Sequence, residues 1–437
     1  MNTSKTLFGF SLFLGILATG YLANAHIIHF QKSSLPSHKI TTTNLKAHVN
    51  FLCSNALEGR LTGSMGEKLA THYVANKFRE LGLEPAGNNN TFFQEFDFID
   101  NKQNKHKGRN VLAKLQINAA SNQIIVIGAH IDHLGHGELN GSRAYKKEKG
   151  HIHYGADDNA SGVASMIEAA KKLSYLNAEG KLHGNKNIVF AAWSGEEIGI
   201  LGSSHFVHAM QKASNQSLHT LIEANLNLDM VGRLEENLVL QGIGSSSRWL
   251  NLIERANSKD PIHLITQNDP YLPTDSTSFY LQGVPTLNFF TGAHDEYHTP
   301  RDNPETLNYA GMKAISIFLV NLIIALENKQ IVMDYKETPY TTKRSTRGMN
   351  VYLGTFPDYA SSNKSGVKLA GVLKGSPAER AGVKRDDIII ELEGKKIHDI
   401  YDYTFVLSAL HIGKPASLVV FRDKKNVNLT IIAQSRK

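Results

Sequence analysis

Five apolar runs of strand length constrain this chain more than any other feature. They lie at residues 110–115, 123–129, 187–193, 224–229 and 285–290. Helix-patterned stretches at 161–173 and 245–256 fall between them, and Ile315, Phe318, Leu319, Leu322 and Leu326 mark a last helix. Strands that are apolar throughout belong to a sheet covered on both faces. The order predicts an α/β fold with a mostly parallel central sheet and helices on both faces. Upstream, Ser64-x-x-Glu67 has the form of a capping box. The helix it opens would bury Leu69, Tyr73, Phe78 and Leu81.

The rhythm changes after this region. Residues 329–344 are mostly polar and read as a linker. Short β-like runs follow at 349–355, 367–372, 387–392, 416–422 and 426–432, with a helical pattern at 401–409. They predict a small β-rich domain over 345–437. At the other end, Lys5, an apolar run at 7–18 and Ala23-Asn24-Ala25 describe a signal peptide over 1–25, cleaved after Ala25. The run is short for a spanning helix, which needs about 20 residues. The folded body, starting with a domain over 26–328, is therefore expected outside the cytoplasm, in the periplasm or the medium, with no stable membrane anchor. One cysteine, Cys53, cannot form an internal disulfide and reads as a small buried side chain. The net charge of +7 comes from scattered Lys and Arg, which gives no nucleic-acid stripe.

The acidic and His residues gather where the strand candidates end. In open α/β sheets that edge binds ligands. The second run ends in His130-Ile-Asp132, and a loop then leads to Gly155-Ala-Asp157-Asp-Asn-Ala-Ser-Gly162. The third ends in Ser194-Gly-Glu196-Glu197, the fourth in Asp229, and the fifth leads to Tyr297-His298-Thr299. Two imidazoles and several carboxylates form a mixed nitrogen–oxygen site that suits zinc, and also manganese or cobalt. A catalytic zinc usually takes three protein ligands, so five groups are too many for one ion; a carboxylate shared by two ions resolves the count. Asp132 can fix the tautomer of His130 through its far nitrogen. Adjacent Glu196 and Glu197 point differently, so one can hold metal while the other serves as general base.

Together with Asn227-Leu-Asp229-Met and Tyr297-His298-Thr-Pro, these motifs resemble the di-zinc exopeptidases, the family of secreted bacterial aminopeptidases, aminopeptidase Y and glutamate carboxypeptidase II. Glu58-Gly59-Arg60 and Gly108-Arg109-Asn110-Val111 also look like family sequence. The resemblance implies an aminopeptidase with two zinc ions per chain, acting on peptides with a free N-terminus. His130 and Asp229 would bind one ion, Glu197 and His298 the other, and Asp157 would bridge them. Glu196 would be the base, Asp132 would steady His130 from behind, and Tyr297 would hydrogen-bond the developing oxyanion. Asp158 resembles the position whose link to the bridging Asp is often cis. Related readings on the same fold are a one-zinc glutaminyl cyclase and a carboxypeptidase.

Residues 375–389, Gly-Ser-Pro-Ala-Glu-Arg-Ala-Gly-Val followed by Asp386-Asp387-Ile-Ile, resemble a PDZ domain attached to extracytoplasmic proteases. Val351-Tyr352-Leu353-Gly354 sits where such a domain holds a peptide's terminal carboxylate, although it departs from Gly-Leu-Gly-Phe. C-terminal peptides are the partners this implies, added as a strand at a sheet edge. A non-catalytic PDZ scaffold is the rival from another functional class.

Overall fold

A computed structural model describes residues 38–338, with gaps at 100–103, 139–141, 143, 215–216, 273, 293 and 295. It also describes 351–435, with gaps at 358–365, 373, 398–402, 404–405 and 408–409. The signal peptide expected at 1–25, the end of the expected linker and much of the expected helix at 401–409 lie outside the described residues.

The first region is built on a nine-stranded sheet. Its strands are β1 (Glu84–Pro85), β2 (Phe93–Ile99), β3 (Lys105–Leu115), β4 (Ile124–His130), β5 (Asn187–Trp193), β6 (Ile222–Leu228), β7 (Leu238–Gln241), β8 (Leu264–Gln267) and β9 (Thr286–Phe290). They are ordered β1-β3-β5-β4-β6-β9-β7-β8, with β2 also on β3. The central four, β5-β4-β6-β9, are parallel. At the flanks β3 runs antiparallel to β5, and β7 runs antiparallel to β9. The sheet is thus mixed, and only its centre matches the mostly parallel expectation. On one flank β7 and β8 escape the pattern because they have four residues each and β8 is half-exposed; on the other, the expected run 110–115 is the end of β3, whose direction its apolar pattern does not encode.

Helices α1 (Thr42–Leu52), α2 (Met65–Glu80), α3 (Gly162–Ala178), α4 (Leu201–Ala213), α5 (Leu218–Leu221), α6 (Trp249–Asn257), α7 (Ser276–Tyr280) and α8 (Tyr309–Glu327) complete this region. Side chains alternate across a strand. Ile125, Ile127 and Ala129 of β4 therefore join the core formed with α1, α3 and α8, while Val126 joins Phe206 of α4 and Phe279 of α7. Burial on both faces is what makes β5 an apolar run without alternation; β6 is equally buried, although Glu223, Asn225 and Asn227 alternate with its apolar residues. Each fully buried Leu, Ile or Phe contributes roughly 1.5–3 kcal/mol. Met312, Ile315, Phe318, Leu319, Leu322, Ile323 and Leu326 make α8 a main anchor of this core. Trp193 and Cys53 are core residues. In α2 Phe78 is buried as expected and Tyr73 and Leu81 pack half-buried against the core, but the rest of the buried stripe is Ala70, Val74 and Ala75. Leu69 is exposed, because small Ala70 and Ala75 let that other side approach the sheet.

The segment expected as a linker starts differently. Up to Thr338 it runs strapped along the first region. The Met333 amide donates to Glu223 at 2.7 Å, Asp334 accepts from the Ser246 and Ser247 hydroxyls at 2.6 and 2.8 Å, and the Thr338 amide donates to the Tyr280 hydroxyl at 2.8 Å. Polar composition hid this, because the bonds run from local polar groups to distant partners.

The C-terminal region has a separate core that includes Leu353, Leu369, Ile389, Leu418 and Ile431. It contains β10 (Val351–Tyr352), β11 (Thr355–Pro357), β12 (Val367–Val372), β13 (Ile388–Leu392), β14 (Lys395–Lys396), β15 (Pro415–Arg422), β16 (Lys425–Ile432) and β17 (Gln434–Ser435). One sheet is ordered β11-β12-β13-β15-β16, with β14 on β13, and β10 pairs with β17. Buried Asp387 accepts two bonds from the Arg422 guanidinium, at 2.6 and 2.7 Å.

Candidate metal centre

The carboxyl ends of the central strands deliver the polar groups to one place. His130 is the last residue of β4, Glu196 and Glu197 follow β5, Asp229 follows β6, and His298 lies in the loop after β9. Between the two imidazoles stands a carboxylate, and it belongs to Asp158. Its Oδ1 lies 3.1 Å from His130 Nε2 and its Oδ2 lies 3.1 Å from His298 Nε2. Asp229 Oδ1 is 3.4 Å from His130 Nε2, and Glu197 Oε2 is 3.1 Å from His298 Nε2. Two sets of three donor atoms result, and they share Asp158. Donor atoms of His130, Asp158 and Glu197 lie within 4.8 Å of one another.

The expectation that Asp157 stands between the two sets is corrected by this geometry. Its Oδ1 accepts from the Gly232 amide at 2.6 Å and the Ser161 hydroxyl at 3.1 Å, and its Oδ2 lies 3.2 Å from His294 Nε2. Asp157 thus braces the loop after β6 while its neighbour faces the imidazoles. The cis peptide bond is Asp158–Asn159, one residue later than the sequence resemblance suggested.

Asp132 also takes a different position from the expected one. His130 Nδ1 is 3.2 Å from the Asp132 backbone carbonyl and 3.8 Å from its carboxylate. The carboxylate accepts the Glu196 and Glu197 amides at 3.1 and 3.3 Å and the Thr62 hydroxyl at 2.8 Å. It therefore fixes the two-glutamate turn and leaves His130 to its own carbonyl. Adjacent Glu196 and Glu197 do diverge. Glu197 Oε1 accepts from His133 Nδ1 at 2.7 Å and its other oxygen faces His298.

Charge is strongly unbalanced here. Burial raises Glu196 well above the usual carboxylate range; His130 opposes, while Asp229, Glu197 and Asp275 add to the rise. Burial raises Asp275 to about 7. Burial also works to raise Asp158, but hydrogen bonds with His130 and His298 overcome it and hold the carboxyl well below its usual range. Burial keeps the Tyr297 phenol protonated, reinforced by Asp158 and Glu197, and its ring stacks on His298 at 3.8 Å between centroids.

The donor set fits zinc. Bonds of about 2.0–2.2 Å from zinc to nitrogen or oxygen place neighbouring ligands of a tetrahedron roughly 3.3–3.6 Å apart, within a few tenths of an ångström of the spacings seen in both sets. An excess of buried carboxylates also calls for a cation.

Of the histidines in the chain between His130 and Asp157, His136 and His151 lie toward solvent, whereas His133 and His153 are buried. Asp295 lies outside the described residues. Sequence reasoning overlooked the grip of Asp302 and Thr62 on this site, and it noted Arg60 only by resemblance. A buried charged residue bonded to distant backbone leaves no periodic signal.

In the C-terminal region Tyr352, Leu353 and Gly354 are buried, and the Leu353 carbonyl accepts from the Ala378 amide at 2.9 Å. Gly354 has φ +80°, and a side chain there would meet Ser376. β11 is at the sheet edge.

Comparison with known proteins agrees with this geometry. Residues 110–323 match the model of peptidase family M28, and residues 357–432 match the PDZ domain. Aminopeptidase YwaD of Bacillus subtilis is 32% identical over 168 residues, which is 35% of this chain and 34% of that protein. The alkaline phosphatase isozyme conversion protein of Escherichia coli is 31% identical over 178 residues, 40% of this chain and 48% of that one. The chain thus spans a third to a half of these relatives' length. Among solved structures, the LapA aminopeptidase of Legionella pneumophila superposes with a TM-score of 0.51 at 19% identity, over 66% of this chain and 73% of that one. A zinc-dependent exopeptidase of Parabacteroides distasonis gives 0.53 at 16% identity, over 68% and 100%. These two likenesses concern the fold.

Proposed function

From a chain whose residues 110–323 match peptidase family M28 and whose residues 357–432 match a PDZ domain, we propose an extracytoplasmic aminopeptidase that works with two zinc ions. The observation that carries the reading is the pair of donor sets meeting at Asp158. His130 and Asp229 would hold one ion, Glu197 and His298 the other, and Asp158 both. Bound there, zinc would lower the pKa of a shared water towards 7 and polarise the scissile carbonyl.

The chain's own groups supply the rest. Glu196 Oε accepts the proton of the attacking water and delivers it to the leaving amine. Asp132 orients Glu196 through its amide. The protonated Tyr297 hydroxyl is the proposed donor to the developing oxyanion. A leader at 1–25 would take the chain out of the cytoplasm. Tyr352, Leu353 and Gly354 would receive a peptide's C-terminal carboxylate, with β11 as the edge to which the peptide adds.

The test combines zinc content with rates on free and N-blocked peptides. Two zinc ions per chain, hydrolysis of free N-termini only, and loss of turnover with retained zinc in Glu196→Gln are expected. One zinc with cyclisation of N-terminal glutamine, or turnover that survives full chelation, would refute the reading.

A further inference from the structure

We propose that Arg60 and Asp302 form a two-sided backbone clamp that sets the position of Asp158 between His130 and His298, and thereby sets the affinity for metal. The proposal rests on the zinc reading above and adds two positioning residues to it.

Arg60 is 1% exposed. Among the described residues its guanidinium bonds to backbone carbonyls of three segments. Nε donates to Ile131 at 2.8 Å, Nη1 to Leu52 at 2.6 Å and Tyr154 at 2.8 Å, and Nη2 to Gly155 at 3.0 Å. Ile131 lies between His130 and Asp132. Tyr154 and Gly155 begin the segment that reaches Asp158. The Arg60 carbonyl also accepts the His133 amide at 3.2 Å.

The turn that aims Arg60 inward is unusual. Glu58, Gly59 and Arg60 have φ of 45°, 70° and 50°. A side chain on Gly59 would come within 2.5 Å of the Gly135 carbonyl and 2.6 Å of the His153 carbonyl. Two non-glycine residues in the left-handed region cost energy that the surroundings must offset.

Asp302 takes the other side of the same segment. Its carboxylate accepts the Asp157 and Asp158 amides at 3.0 Å, and its carbonyl accepts the Ala156 amide at 3.2 Å. Carbonyls 154 and 155 are thus held by a cation, and amides 156, 157 and 158 by an acid four residues after His298. One clamp arm ties the Asp158 segment to the His130 strand end, and the other ties it to the His298 loop. Spacings of 3.1 Å on both sides of Asp158 follow from that double hold.

Removing an outer partner of a metal ligand typically costs about 10–100-fold in metal affinity. The test is zinc competition against a chromophoric chelator, on full-length Arg60→Lys and Asp302→Asn, with Arg109→Lys as control. Arg109 is also partly buried and donates to Thr71 and the Lys68 carbonyl, away from the centre. Melting of the chelated proteins measures any purely structural effect separately. Zinc affinity of the folded variants is expected to fall about 10–100-fold, with the control unchanged. Zinc affinity within twofold of wild type, even with a lowered melting temperature, would overturn the clamp. If Arg60→Lys does not fold, Asp302→Asn decides alone. A wild-type chain that binds no zinc sinks the functional reading as well, and that result is distinguishable from a failed clamp.

Discussion

Asp157 and Asp158 differ by one position, and exchanging each for Asn separates their roles. In Asp157→Asn the side-chain oxygen can still accept the Gly232 amide and the Ser161 hydroxyl, while the new amide faces His294. Bonds to a charged acceptor contribute about 1.5–3 kcal/mol and neutral ones about 0.5–1.5, so each of the two weakens by about 1 kcal/mol. The expected cost is about 2 kcal/mol of stability, with zinc retained. In Asp158→Asn the shared carboxylate between two imidazoles disappears. Both donor sets lose a charged ligand, and zinc affinity should drop by more than the roughly 100-fold that an outer partner is worth. Zinc per chain after dialysis against buffered nanomolar zinc, urea unfolding of the chelated proteins and hydrolysis of leucine amide read all three quantities. Zinc lost from Asp157→Asn but kept by Asp158→Asn would refute the assignment.

Three further outcomes are expected. Burial raises Glu67 from 4.5 to about 7; its carboxyl is then protonated in the native state and ionised in the unfolded state between those values. Stability of the chelated protein should therefore fall by about 3 kcal/mol as pH rises from 4.5 to 7, and level off above. Asp275 and Asp302 shift in the same direction, so the test is the difference in urea stability between pH 5 and 8 for wild type and Glu67→Gln; equal differences would contradict the role given to Glu67. Lys186→Met leaves buried Glu223 without the ammonium 3.6 Å away and frees the Leu326 and Asn328 carbonyls. It should cost about 3–5 kcal/mol, and Lys186→Met/Glu223→Gln should recover part of that; a double variant no better than the single one would argue against the pairing. Arg422→Ala leaves buried Asp387 with the Lys384 amide and should cost about 1.5–3 kcal/mol. Because the cores are separate, calorimetry should show only the C-terminal region destabilised and leucine amide hydrolysis unchanged; a joint loss would mean the two regions fold as one.

The sheet's centre was legible because double-sided burial writes an apolar run directly into the sequence, as in Ile188–Trp193 within β5. Strand ends carrying His130, Glu196, Glu197 and Asp229 were legible for the same reason. The Asp157/Asp158 choice was not. Residues Ala156–Ser161 follow neither a strand nor a regular helix, with Asp158 at φ −108° and ψ 87°, so no periodicity says which of two identical side chains faces inward. Asp132 does meet the far nitrogen of His130, but through its backbone carbonyl; the further task of its carboxylate, accepting two backbone amides, has no counterpart in the pattern of side chains. Short edge strands such as β8 hold few apolar residues and escape for want of length.

The strap from residue 329 to Thr338 decides where the chain can be divided. A peptidase fragment ended at Asn328, where the last helix stops, would take away the Ile331 carbonyl that Lys186 uses, the Asp334 carboxylate that caps Ser246 and Ser247, and the amide that meets the Tyr280 hydroxyl. Expressed alone, the first region needs ten more residues than its secondary structure suggests.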